Sequence, residues 1–148
     1  MPSRASKDIE QETERVFRAV ISAWANQDVD GVVRRLADDV VRNINVDGEL
    51  VPFAASVTGK AAIRERLELA LETFETGSYV TDFLRVEGNV ARARLRSIMI
   101  HYLTGERLNM RFRVVMEQQD GLVKRLDIFH DRHYLEAFAR LVARRKDD

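Results

Sequence analysis

The 148-residue chain has no cysteine, which excludes disulfides, thiolate nucleophiles and cysteine-ligated metal or iron–sulfur centres. It has only two prolines and seven glycines, too few for a low-complexity or disordered segment. It has no excess of charge: 24 Lys plus Arg balance 24 Asp plus Glu. That balance gives no electrostatic footprint for nucleic acid or an anionic membrane. No stretch approaches the roughly 18 apolar residues of a membrane span. The segment Met1-Pro2-Ser3-Arg4-Ala5-Ser6-Lys7-Asp8 lacks the apolar run of a signal peptide. The expectation is a cytoplasmic protein without cofactor that binds neither nucleic acid nor membrane.

What is present is the composition of one folded domain, 45% hydrophobic and 32% charged. It is expected to span residues 1–148, with 1–7 and 144–148 as flexible tails. Ile9, Thr13, Val16, Phe17, Val20 and Trp24 recur at helical spacing, and Asp8 with Gln11 reads as a capping pair. The polar turn Asn26 to Asp30 ends that helix, and Val32, Val33 and Leu36 mark a short second one. A strand follows over 40–46, then a loop bounded by Pro52 and Gly59. Thr58 is placed to cap a third helix whose buried face is Ile63, Leu67, Leu71 and Phe74.

From Gly77 the period changes. Glycine-bearing turns at Glu87-Gly88-Asn89, Thr104-Gly105-Glu106 and Asp120-Gly121 leave room for unusually long strands joined as hairpins. A short last helix carries Tyr134, Leu135, Phe138, Leu141 and Val142 behind a cap at Asp131. Helices first and an antiparallel meander last give an α+β fold with helices on one sheet face.

This order of elements resembles the nuclear transport factor 2-like superfamily, and within it the SnoaL-like and ketosteroid-isomerase-like proteins. The resemblance rests on Gln27-Asp28-Val29-Asp30-Gly31, on Leu36-Ala37-Asp38-Asp39-Val40, on Gly59-Lys60-Ala61-Ala62-Ile63, and on the long strands with Asp120-Gly121 before the last. It covers about Ile9 to Phe138. It implies a cone-shaped α+β barrel in which a curled, mostly antiparallel sheet wraps helix one around an apolar pocket. The resemblance also supplies a negative test. The position of the steroid isomerases' base Asp is Ile44 here, beside Asn43 and Asn45. Their helix-one tyrosine aligns with Val20, their protonated Asp falls near Val114, and Ile128 stands where limonene-epoxide-hydrolase-like members carry an Asp. That machinery is vacant.

Alternation assigns the faces. On strand 106–119, Met110, Phe112, Val114 and Met116 share the inner face. On the last strand Leu126, Ile128 and His130 fall together. On strand 89–103, Arg92, Arg94 and Arg96 point to water, which puts Ala91, Ala93, Leu95, Ser97, Met99 and His101 inside. Hairpin pairing then sets His101 opposite Asn109 and His130 opposite Met110, at one level, with backbones about 10 Å apart. Two such histidines are similar to the pair of scytalone-dehydratase-like proteins and suit proton transfer near neutral pH. Alternatively, each is a hydrogen-bonded core or rim residue. No inward carboxylate offers a third metal ligand, so no metal site is expected.

Trp24 either lines the pocket or packs in the core. Arg42 also falls inward, where it either holds a carboxylate or phenolate or pairs with a local acid. Arg92, Arg94, Arg96, Arg111 and Arg113 read as a solvated sheet face or an interface salt-bridge set. The outer residues Ile98, Ile100, Tyr102, Val115 and Phe129 make an apolar patch that implies a homodimer, sheet face to sheet face. A β-bulge near Ser97 is the competing arrangement and would turn His101 outward. The expected function is binding of a small hydrophobic, cyclic molecule, with isomerase, dehydratase or cyclase chemistry on His101 and His130 and hydrogen-bonding help from Ser97. The alternative is a non-catalytic ligand-binding or protein-interaction module.

Overall fold

The structure is a computed structural model that describes residues 4–45 and 56–143. The expected strand end at residue 46, the loop at Pro52 and the tail at 144–148 lie outside these residues. The elements run α1 (Arg4–Ala25), α2 (Val29–Arg34), β1 (Leu36–Asn45), β2 (Val57–Thr58) and α3 (Lys60–Thr73). Then come β3 (Phe74–Glu87), β4 (Val90–His101), β5 (Arg107–Gln119), β6 (Leu122–Phe129) and α4 (Arg132–Val142). The six strands form one curled, unclosed sheet in the order β2-β1-β6-β5-β4-β3. β1 and β6 are parallel and every other pair is antiparallel. Among the described residues no helix is long and apolar enough to cross a membrane.

α1 buries Thr13, Val16, Phe17 and Val20 on one stripe. The helix starts at Arg4, ahead of the expected Asp8–Gln11 cap, so residues 4–7 are helical and not a tail. A capping pair stops a helix only where the preceding residues cannot continue it, and Arg4-Ala5-Ser6-Lys7 contains no breaker. The far end is a Schellman turn. Gln27 takes a positive φ of 60, its N–H donates to Trp24 O at 2.9 Å, and Asp28 N–H donates to Ala23 O at 2.8 Å.

Asp28 then caps α2 by accepting the Gly31 N–H at 2.9 Å. A Cβ on Gly31 would overlap the Asp28 carboxylate and lie 3.1 Å from the Ala23 Cβ. Gly31→Ala should therefore displace the cap and cost about 1–2 kcal/mol in denaturant unfolding; unchanged stability would contradict this account of the seam.

β1 begins at Leu36, four residues earlier than expected, because Leu36, Ala37 and Val40 are all buried against β6. The exposed pair Asp38-Asp39 sits where the β1/β6 register slips between Leu36 and Val41. α3 is preceded by Gly59 at a φ of 95, not capped by Thr58, which pairs with Val41 in β2. Phe74, expected on that helix, is the fully buried first residue of β3. Asp120 and Gly121, both at positive φ, make the tight turn between β5 and β6.

Two registers differ from expectation. β4 and β5 set Ser97 opposite Met110, three residues away from the pairing of His101 with Asn109. The reason is the loop 102–106, which is centred before Gly105 and closed by His101 N–H to Glu106 O at 2.8 Å. β5 and β6 set Val114 opposite Ile128, which puts His130 level with Phe112 rather than Met110. Phe112 faces Leu95. The two histidines are thus six strand positions apart, about 20 Å along the sheet, and do not face each other. β4 carries no bulge at Ser97. Its burial alternates without interruption and keeps His101 inside. The bulges lie on β3 instead, between Thr76 and Tyr79 and between Thr81 and Phe83.

Candidate functional site

The concave sheet face, α1, α3 and α4 enclose a cavity of about 150 Å³, close to the room that holds one aromatic ring. α1 contributes Phe17, Val20 and Trp24. β5 and β6 contribute Met110, Phe112, Val114, Leu126 and Ile128, while Leu67 and Phe138 come from α3 and α4. Long antiparallel strands with strict alternation present this apolar wall, and α4 covers it because Asp131 Oδ1 accepts the Tyr134 N–H at 2.7 Å and starts the helix there. Ile44, Val20, Val114 and Ile128, the positions at which the resemblance places acids or a tyrosine, all line the cavity.

Against this wall stand a few polar groups: Arg42, Arg66, Tyr79, His130 and Tyr134. No Asp or Glu lines the cavity among the described residues. His130 is held between rings, 5.0 Å from Phe112 and 4.3 Å from Tyr134 between centroids. Its buried Nδ1 has no hydrogen-bond partner among the described residues. Desolvation, assisted by the charge of Arg42, lowers its pKa to about 3 and keeps the imidazole neutral. Burial raises the pKa of the Tyr134 phenol, so its hydroxyl stays a donor, resting on Met99 Sδ at 3.6 Å. Tyr79 Oη accepts the Trp24 Nε1–H at 2.6 Å, which leaves the phenol proton to donate. Burial likewise raises its pKa.

Arg42 lies within the protein and keeps contact with solvent only through partial exposure. Desolvation first, and then repulsion from Arg66, lower its pKa to about 10, still well above neutrality. Among the described residues it meets no carboxylate, although a local acid was one of the two partners expected for it.

The expected site residues therefore divide. Trp24, Arg42, Met99, Met110, Phe112, Val114, Leu126, Ile128 and His130 line the cavity. Leu95 and Ser97 are buried but lie outside the lining; Ser97 sits opposite Tyr79, close enough to influence its phenol. His101 does not reach the cavity. Its Nε2 lies 3.1 Å from Leu141 O, a group that only accepts, so Nε2 carries the proton and Nδ1 accepts from Thr104 Oγ1 at 2.9 Å. That bonding ties β4 to the end of α4. His101→Ala should cost about 2–4 kcal/mol of stability and leave ligand affinity at the cavity unchanged; a selective loss of affinity would return His101 to the site.

Sequence reasoning missed Arg66, Tyr79 and Tyr134. Arg66 interrupts the apolar α3 positions Ile63, Leu67 and Ala70, a signal that was there to find. Tyr79 is hidden by the β3 bulge, which resets the alternation. Tyr134 was placed on the last helix, but its role depends on where that helix packs.

On the convex face, Ile98, Ile100, Val115 and Phe129 are half-buried and Tyr102 is exposed. Arg113 lies over the Phe129 ring at 5.1 Å, and Arg94 over Phe83 at 5.0 Å. Arg96 pairs with Asp82 at 2.7 Å. Among the described residues no three acid or histidine side chains gather to hold a metal.

A SnoaL-like domain profile matches residues 17–126. No curated protein matches the chain in sequence. Solved structures share the fold. A candidate isomerase of Bacillus subtilis is 15% identical, with 87% of this chain and 94% of that one covered at a TM-score of 0.76. A candidate polyketide cyclase of Xanthomonas campestris is 17% identical, over 90% and 98%, at 0.69. TerC, co-crystallised with polyporic acid, is 16% identical, over 90% and 99%, at 0.73. With the profile spanning most of the chain and the curled sheet in place, this protein belongs to the SnoaL-like domain family.

Proposed function

We propose that the cavity binds a small hydrophobic ring compound and that His130 moves a proton on it, in chemistry of the isomerase, dehydratase or cyclase type. The observation that carries this reading is a half-buried histidine whose buried Nδ1 has no partner among the described residues, in an apolar cavity. His101 and Ser97 have no part in it. A C–H next to a carbonyl gives its proton to His130 Nδ1, the electron pair moves onto the carbonyl oxygen, and the proton returns at another ring or chain position. Tyr134 and Tyr79 donate hydrogen bonds to the enolate oxygen. The candidate isomerase and cyclase of the same fold, and TerC with its polyporic acid, are in keeping with such a role.

Trp24 is the chain's only tryptophan, so its emission reports on the cavity directly. Toluene or p-cresol should change that emission and raise Tm. Neither change would mean a filled, dry interior and would favour the interaction-module reading. Once a substrate is known, His130→Gln should abolish turnover; retained turnover would remove His130 from the chemistry.

The convex face supports a second element of the reading, a homodimer through that face. Its apolar residues include Val80 and Phe83, 39% and 44% exposed, which stand across from Arg96 and Arg94, with Ile98, Ile100 and Tyr102 at one end of the face and Val115 and Phe129 on the neighbouring strands. Acids and arginines pair beside them within the chain, as Asp82 with Arg96 and Asp127 with Arg125. A monomer in sedimentation at micromolar concentration would overturn this.

A further inference from the structure

We infer that the ligand of this cavity is an anion: a single-ring compound whose carboxylate or enolate oxygens dock between Arg42 and Arg66. The inference rests on the proposed binding role of the cavity and names the class of compound it takes.

Two guanidinium groups from different elements face one apolar chamber, Arg42 from β1 and Arg66 from α3. Neither has a built-in counterion among the described residues. The cross-strand neighbours of Arg42 are Val57 and Leu126, and its same-face neighbours on β1 are Val40 and Ile44. The helical neighbours of Arg66, three and four positions away, are Ala62, Ile63, Leu69 and Ala70. Arg64, two positions away on the same helix, shows the contrast. It pairs with Asp30 at 2.8 Å and with Glu68 at 3.5 Å. The acids of α3, Glu65, Glu68 and Glu72, all point to solvent. Among the described residues the charge in the cavity is thus uncompensated, and Arg42 feels the repulsion of Arg66.

A desolvated cation without a partner, such as Arg42, is costly to keep, and a second guanidinium in the same chamber adds repulsion. A carboxylate or enolate answers both at once, because a guanidinium presents its donors in a planar fork that fits such oxygens. The remainder of the lining suits an apolar ring. Tyr79 and Tyr134 add donors and no negative charge, and His130 is neutral. A cationic or strongly polar ligand finds no acceptor set in this lining.

The test uses benzoate and benzamide, which match in shape and differ in charge, titrated into the full chain at pH 7 and read by Trp24 emission. Benzoate should bind at least about tenfold tighter than benzamide. Arg42→Gln and Arg66→Gln should each weaken benzoate by about tenfold and leave benzamide within about twofold, which also certifies that the variants are folded. Equal affinity of the two probes, or benzoate binding untouched in both variants, overturns the anion proposal while benzamide binding leaves the apolar-cavity reading standing. Binding of neither probe overturns both.

Discussion

Arg42→Met should make the ligand-free protein more stable, by about 1–3 kcal/mol at pH 7. A guanidinium with a partner behaves in the opposite way: breaking a buried pair costs about 3–5 kcal/mol because the other charge is stranded. Arg42 has no such partner among the described residues, and desolvation is the first cause of its lowered pKa. Methionine keeps a flexible stem against Val57 and Leu126 and removes a charge that water solvates only in part. The range is set below the full pKa shift because Arg42 retains some solvent contact. Urea unfolding of the two proteins measures the difference. A loss of more than 1 kcal/mol in the variant would show that the guanidinium is held by an acid of this chain, and the site would lose its anion-binding logic.

His130 should make the protein acid-sensitive between about 6.5 and about 3. In the unfolded chain a histidine titrates near 6.5, whereas in the fold its pKa is lowered to about 3. Between those values the unfolded chain binds a proton that the folded one refuses, so stability falls as pH falls. The contribution is fully present above about 6.5 and is lost on the way down to about 3. The groups facing His130 are Arg42 from β1 and Tyr134 from α4; only Arg42 is charged, and it is cationic throughout. The slope should be roughly 1 kcal/mol per pH unit, short of the full 1.36 because of residual solvent contact through the cavity. From pH 7 to 4.5 His130→Gln should therefore lose about 2 kcal/mol less stability than the parent. Parallel curves for the two proteins would mean that His130 charges freely in the fold.

The two predictions join at one pair of residues. Burial first, and then the charge of Arg42, lowers the basicity of His130, which makes His130 a poor base in the empty cavity. An anion docked on Arg42 would offset that second contribution and raise the basicity of His130 in part, while burial still lowers it. Binding and activation are then one event.

Much of the architecture was legible in the chain because local physics fixes it. The stripe Thr13, Val16, Phe17, Val20 has helical period, and the alternation Leu95, Ser97, Met99 against Arg94 and Arg96 has a period of two. Asp120-Gly121 and Asp131 act within a few residues of themselves, and both do in the structure what their chemistry dictates. Faces were therefore readable. Levels were not. Whether His101 stands across from Asn109 or His130 from Met110 depends on where a loop is centred, and a loop centred before Gly105 slides one strand by three residues. That slip, together with the docking of α4, separates a structural histidine from one in the cavity. The partner of Arg42 was likewise unreadable, because it depends on which side chains meet across β1, β2 and β6.

The central claim is that His130 sits neutral in a cavity whose unmet charge waits for an anion. The direct measurement is an NMR pH titration of the His130 ring, in the free protein and with saturating benzoate or benzamide. The account predicts a pKa of about 3 in the free protein, a rise of about 1 or more with benzoate, and no change with benzamide. A free His130 that titrates near 6.5, or one indifferent to benzoate at saturation, would contradict it.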